Sequence, residues 1–213
     1  MKRALIMAGG RLGPWALGLI RPDDLLIGAD RGAVFLVQHG FSPDIAVGDF
    51  DSVTPEEREA VRRASVRFEP CDPVMKDDTD TELAFRLALE RSPDAVWIAG
   101  ALGTRFDHSL ANVHLLVQAL ERGVDCRLVD EHNVIRLTDG RLTVEDPENR
   151  YPYVSLLPLT PVVTGVTLRG FRYPLVNHTV TLGRTLTISN ALADKRGTVE
   201  IASGLLLVIQ SRD

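Results

Sequence analysis

The sequence predicts an α/β protein: an N-terminal doubly wound, mostly parallel sheet domain followed by a small C-terminal antiparallel β-sandwich. Three observations lead there. Short apolar runs rich in Ile, Val and Leu recur through the first two-thirds of the chain and end in Gly, Asp or Glu. Helical patterns separate these runs. Near Asp139–Gly140 the character changes, and β-branched residues then alternate with polar ones with almost no helical period. Continuous apolar runs suit strands covered on both faces, as in a parallel sheet, and regular strand–helix alternation builds one.

The strand candidates of the first part are "RALIMAG", "DLLIGAD", "DIAVGD", "AVWIAGA" and "DCRLVDE". After the second, "DRGAVFLVQHG" reads as a helix stopped by Gly40. "TPEEREAVRRA" opens with Thr54 as N-cap, Pro55 at the first helical position, and Glu57 completing a capping box. "DTELAFRLALERS" places Leu83 and Leu87 on one side, with Glu90 or Arg91 towards solvent. "HSLANVHLLVQALERG" places Leu110, Val113, Val117 and Leu120 on one face and stops at Gly123. Beyond "RLTVEDPENRYPY", the segments "YVSLLPL", "VVTGVTLRG", "HTVTLGRTLTISN", "GTVEIAS" and "LLLVIQS" predict the sandwich. The expected domains are 1–139 and 140–213. The second is small for a lone domain and should pack on the first or on another subunit.

Composition narrows the function. A net charge of -5 argues against a nucleic-acid binder that relies on a basic surface. The two cysteines, Cys71 and Cys126, lack paired zinc spacing and predict free thiols in a reducing compartment. The apolar run in "MKRALIMAGGRLG" stops at Gly9. It is strand length, poor as a signal peptide and too short to span a bilayer. A cytoplasmic protein with no membrane partner is expected.

In open α/β sheets, ligands bind beyond the carboxyl ends of the strands. Here those ends carry Gly9–Gly10, Asp30, Asp49–Asp51, Gly100–Gly103 and Asp130. "GDFDS" is either a strand end with solvated carboxylates, or a site where a divalent cation relieves the repulsion between Asp49 and Asp51. "KDDTDTELA" is either an acidic first turn capped by Thr79 and favoured by the helix dipole, or part of the same site. In "GALGTRFDHSLAN" a glycine turn and Arg105 precede a helix, which favours phosphate. The plainer alternative has Asp107 capping that helix and Arg105 pairing with it. His108 reads as a structural or surface histidine. There is no Walker phosphate loop and no full dinucleotide glycine pattern. With all three groups at strand ends or the turns after them, metal–phosphate chemistry is the joint reading.

The strings "ADRGAVFLVQHGFSPDIAVGDFDS", "KDDTD", "GALGTRFDHSLANVHLL" and "DEHNVIRLTDG" resemble the thiamine pyrophosphokinase family in order and spacing. The similarity continues through "YVSLLPLTPVVTGVTLRGFRYPL" and "ISNAL", so it spans nearly the whole chain. The resemblance implies Mg²⁺-dependent transfer of diphosphate from ATP to the hydroxyl of thiamine, with AMP released. It also implies a homodimer with active sites at the subunit interface. It assigns Asp49, Asp51 and Asp80 to the metal. Asp30, Lys76, Thr79, Arg105 and Asp107 go to the nucleotide, Asp49, Asp51, Asp80, Arg105 and Asp107 count as catalytic, and Ser189 and Asn190 go to thiamine. The chain differs from the usual pattern at Arg31 and Thr104, where the family commonly has glycine.

Two other readings exist. "DFDSV" also fits the D-x-D-x-[T/V] pattern of haloacid-dehalogenase-like phosphatases, in which the first aspartate is a nucleophile. Those enzymes usually place it after the first strand, whereas two strand candidates precede it here. The third reading is a nucleotide-binding module without turnover.

Overall fold

The computed structural model describes residues 2–71 and 78–213. The chain forms two compact units, Met1–Glu131 and His132–Asp213.

The first unit runs β1 (Arg3–Met7), α1 (Pro14–Leu17), β2 (Leu25–Ala29), α2 (Arg31–Gln38), β3 (Ile45–Gly48), α3 (Pro55–Ala64), β4 (Arg67–Pro70), α4 (Asp80–Glu90), β5 (Ala95–Ala99), α5 (Phe106–Glu121) and β6 (Asp125–Val129). Its strands are all parallel, in the order β4-β3-β2-β1-β5-β6. The five apolar runs are β1, β2, β3, β5 and β6. Every residue of β1 and β3 is buried, as strands covered on both faces require. Strand order reverses between β1 and β5, the switch point where a ligand crevice opens.

Two close backbone approaches shape that point. Gly10 N–H donates to Gly100 O at 2.9 Å, and a Cβ on Gly10 would lie 2.3 Å from the same oxygen. A Cβ on Gly32 would lie 1.9 Å from Met7 O, so α2 starts directly against the end of β1. Neither position has room for a side chain.

The expected capping box is present in α3. Thr54 Oγ1 accepts from Glu57 N–H at 3.2 Å, and Glu57 accepts from Thr54 N–H at 3.0 Å. Gly40 follows α2 with φ +81°, as its stop signal predicts. The expected face of α5 holds in part, with Val113 buried and Val117 and Leu120 half-buried. Asn112, Val113, Leu115, Leu116 and Ala119 are buried, whereas Leu110 is 43% exposed. The buried Asn112 amide donates to Ala101 O at 2.7 Å, which satisfies it on the inward face. The short elements α1 and β4 have no counterpart among the predicted segments.

The second unit comprises β7 (Asn133–Thr138), β8 (Arg141–Glu145), β9 (Tyr153–Pro158), β10 (Val162–Arg169), β11 (Leu175–Thr181), β12 (Arg196–Glu200) and β13 (Leu206–Ser211). β7, β13 and β9 pair antiparallel. β11, β10, β12 and β8 form a separate antiparallel sheet. Between them lies one apolar core that includes Val144, Val154, Leu156, Val166, Val199 and Leu206. This is the expected sandwich. β7 pairs with β13, so the second unit begins one strand ahead of the change in character at Asp139–Gly140. Among the described residues, no helix is long and apolar enough to cross a membrane.

Candidate active site

A cavity of about 580 Å³ opens at the switch point of the first unit. Gly10 and Gly100 bring in the ends of β1 and β5, Asp30 the end of β2, Thr79 and Asp80 the start of α4, and Arg105 and Asn112 the loop and helix after β5. Loops that leave strand ends at a reversal of strand order converge there because no crossover covers the crevice.

Asp30 also belongs to a carboxylate cluster. One oxygen from each of Asp30, Asp49 and Asp51 lies within 4.8 Å of the others. The backbone builds this cluster from two loops. Asp30 has φ +49° and Phe50 has φ +55°, values that non-glycine residues seldom adopt. Asp30 N–H donates to Val47 O at 2.9 Å, Ser52 Oγ donates to Asp30 Oδ2 at 2.7 Å, and Asp51 N–H donates to Asp49 Oδ1 at 3.1 Å. Phe50, 3% exposed, stacks on Phe68 and anchors the turn from below. The resemblance assigned Asp30 to the nucleotide; its carboxylate stands with the two aspartates of "GDFDS".

Asp30 is electrostatically strained. Burial pushes its carboxyl above the ordinary range, and the charges of Asp80 and Asp49 add to this, against the Ser52 hydroxyl and the Arg31 backbone N–H, which lower it. Its Oδ1 is buried and has no hydrogen-bond partner among the described residues. Clustered carboxylates with an orphaned buried oxygen are what an oxygen-seeking divalent cation would satisfy, so the residues present fit magnesium. Asp80, expected as a metal ligand, lies outside the 4.8 Å group. It lines the cavity with Asp30, and the Cys71 thiol approaches its Oδ1 at 3.7 Å.

The other expected residues divide. Thr79 caps α4, its hydroxyl accepting from Glu82 N–H at 3.2 Å, and it also lines the cavity. Lys76 lies outside the described residues. Arg105 pairs with Asp107 through two bonds, Nη2 to Oδ2 at 2.5 Å and Nε to Oδ1 at 3.2 Å. That pairing lowers the Asp107 pKa and raises that of Arg105. It leaves the outer edge of the guanidinium for a phosphate.

Ser109 was not anticipated. Its hydroxyl accepts from Gly103 N–H and donates to Arg105 O, both at 3.1 Å, so α5 holds the glycine loop through Ser109 and Asn112. The sequence signal was a hydroxyl and an amide one helical turn apart, just after the loop. In the second unit, Ser189 is exposed with φ +57°. Asn190 is buried and spends its amide on the chain: Oδ1 accepts from Tyr173 N–H at 3.1 Å and Ala191 N–H at 2.8 Å, and Nδ2 donates to Tyr173 O at 2.8 Å. Asn190 thereby fixes the backbone of Tyr173, whose ring is exposed.

Known proteins carry the same two-part arrangement. Residues 17–128 match the family model described as thiamin pyrophosphokinase, catalytic domain, and residues 141–206 match the thiamin pyrophosphokinase vitamin B1 binding domain. The thiamine pyrophosphokinase of Bacillus subtilis (strain 168) is 40% identical over 216 residues, covering 100% of both chains. A crystal structure of thiamine pyrophosphokinase from Bacillus subtilis superposes with a TM-score of 0.91 at 39% identity, again over 100% of both chains. That of Geobacillus thermodenitrificans gives 0.88 at 36% identity, over 99% of this chain and 98% of the other. At 17% identity the Candida albicans protein shares the fold, with a TM-score of 0.83 over 99% of this chain and 89% of the other. Matched in order through both units and at full length, the chain belongs to the thiamine pyrophosphokinase family.

Proposed function

We propose that this protein transfers diphosphate from ATP to the hydroxyl of thiamine, giving thiamine diphosphate and AMP. The observation that carries the reading is a cavity lined by a glycine loop, Arg105, Asp80 and Asp30, with Asp30 also belonging to the carboxylate cluster it forms with Asp49 and Asp51. Asp30, Asp49 and Asp51 would hold Mg²⁺, with Asp80 alongside. When bound, the ion neutralises charge on the phosphate oxygens. Arg105, held by Asp107 and by the loop that Ser109 straps, grips phosphate oxygens. The glycine loop allows the nucleotide close to the backbone. The thiamine hydroxyl attacks the β-phosphorus in line and AMP leaves. Positioning and charge stabilisation supply most of the acceleration for such a transfer.

For the acceptor, Ser189 offers a polar group, and Tyr173 offers an exposed ring whose face suits the cationic thiazolium of thiamine. Asn190 then acts through Tyr173. We also propose a homodimer. Tyr173, Val176, Leu182 and Leu186 are each more than 60% exposed, and a second copy is the partner that would cover them. Sedimentation at micromolar concentration is expected to give twice the monomer mass, and a monomer throughout that range would refute the dimer. Neither Cys71 nor Cys126 forms a disulfide among the described residues, in keeping with the cytoplasmic location expected from the sequence.

The test is incubation with Mg²⁺ and ATP, with and without thiamine. AMP and thiamine diphosphate are expected only when thiamine is present. Inorganic phosphate released without thiamine would favour the phosphatase reading, and ATP binding without AMP would favour a regulatory module.

A further inference from the structure

Arg31 is the first residue of α2 and directly follows Asp30. Its side chain reaches across to the other metal-side loop, where Nη1 donates to Ser52 O at 3.2 Å. Ser52 in turn donates through Oγ to Asp30 Oδ2 at 2.7 Å. The strap therefore closes a ring from Asp30 to Arg31 to Ser52 and back, and ties a guanidinium to the loop that carries Asp49 and Asp51. Arg31 is exposed and forms no ion pair among the described residues, although three carboxylates stand close by. A guanidinium has five N–H donors in a planar fork. Among the described residues, one is committed to a neutral carbonyl and the rest make no hydrogen bond.

A cation held near acids but unpaired with them suits a ligand that binds both. A magnesium-bound polyphosphate has that character, since its metal meets the carboxylates and its peripheral oxygens remain for the fork. Resting on the functional reading above, we infer that Arg31 is a further phosphate-gripping residue and that it takes the diphosphate being transferred. Arg105 is held in a different loop. It lines the cavity with Asp30 and has two of its donor nitrogens committed to Asp107, whereas Arg31 is tied to Ser52 on the Asp49–Asp51 side. The two arginines thus address different parts of the phosphate chain.

The experiment compares wild type, Arg31→Gln and Arg31→Lys. Loss of one charge-assisted contact predicts that Arg31→Gln raises KM for MgATP about tenfold. Magnesium pyrophosphate inhibition should weaken by the same factor, with AMP inhibition and KM for thiamine unchanged. Arg31→Lys should recover part of the loss, because the charge returns without the fork. A purely structural strap would instead lower thermal stability and affect all ligands alike. The inference is overturned if Arg31→Gln leaves MgATP and pyrophosphate within about twofold of wild type, or if the AMP or thiamine response moves instead. The functional reading fails separately, if wild type forms no thiamine-dependent AMP. Calorimetry of magnesium pyrophosphate binding to wild type and Arg31→Gln then still reads the arginine.

Discussion

Asp51→Asn is expected to lower turnover by about a hundredfold or more at saturating magnesium, because it removes charge where a polyphosphate's counter-ion must be held. The substitution is well placed to isolate chemistry from folding. Asp51 is exposed, and the bond it makes to Asp49 comes from its backbone N–H, which asparagine retains. The strained turn at Phe50 is packed from beneath by Phe68 and does not depend on the Asp51 side chain. Thermal stability should therefore stay close to wild type while the magnesium concentration for half-maximal rate rises. The same substitution at Asp30 is expected to cost at least as much. Asp30 lies in both the carboxylate cluster and the cavity, and its hydrogen bond from Ser52 ties the two loops together. Near-normal turnover of Asp51→Asn with saturating magnesium would remove the metal assignment. A large loss accompanied by a fall in melting temperature would point to the loop rather than to the charge.

How much of this was legible in the sequence depends on what each residue's signal reports. Strands β1, β2, β3, β5 and β6 were readable because burial on both faces writes a continuous apolar run. β4 was not. Its four residues, Arg67–Pro70, sit on the sheet edge with none fully buried, so hydrophobicity marks nothing there. The inward face of α5 escaped in part because an apolar stripe weighs only side-chain hydropathy. Buried Asn112 is polar, and its bond to Ala101 O is what satisfies it on the inward face. At the site, "GDFDS" and the loop with Arg105 were visible as local strings. That Asp30 joins the aspartates of "GDFDS" depends on β2 and β3 being neighbours and on a positive φ at Asp30, neither of which is written locally. Asn190 was likewise visible as a motif residue. Its commitment to Tyr173, seventeen positions away, exists only in the fold.

Asp24→Ala is expected to destabilise the first unit by about 3–5 kcal/mol, the cost of leaving a buried charge without its partner. Arg3 and Asp24 are among the least accessible charges in the protein, with side chains 3% and 1% exposed. Arg3 donates to Asp24 through Nε at 2.7 Å and Nη2 at 2.6 Å, and Nη2 also reaches Leu19 O at 2.6 Å. The guanidinium lies 4.5 Å from the centre of the Trp97 ring, so its position is fixed by packing and it cannot swing to water. Asp24 also accepts from Arg21 N–H at 2.8 Å, and its loss frees the turn that leads into β2. The double variant Arg3→Met, Asp24→Leu should recover most of the loss, because it removes both charges and keeps the volume against Trp97. Both tryptophans, Trp15 and Trp97, lie in the first unit, so fluorescence-monitored denaturant unfolding reads that unit directly. Arg3 stands at the amino end of β1, opposite the strand ends that line the cavity, so whatever fraction of Asp24→Ala remains folded should turn over normally. A shift below about 1 kcal/mol would mean that water reaches Arg3 and the pair is worth no more than one at the surface.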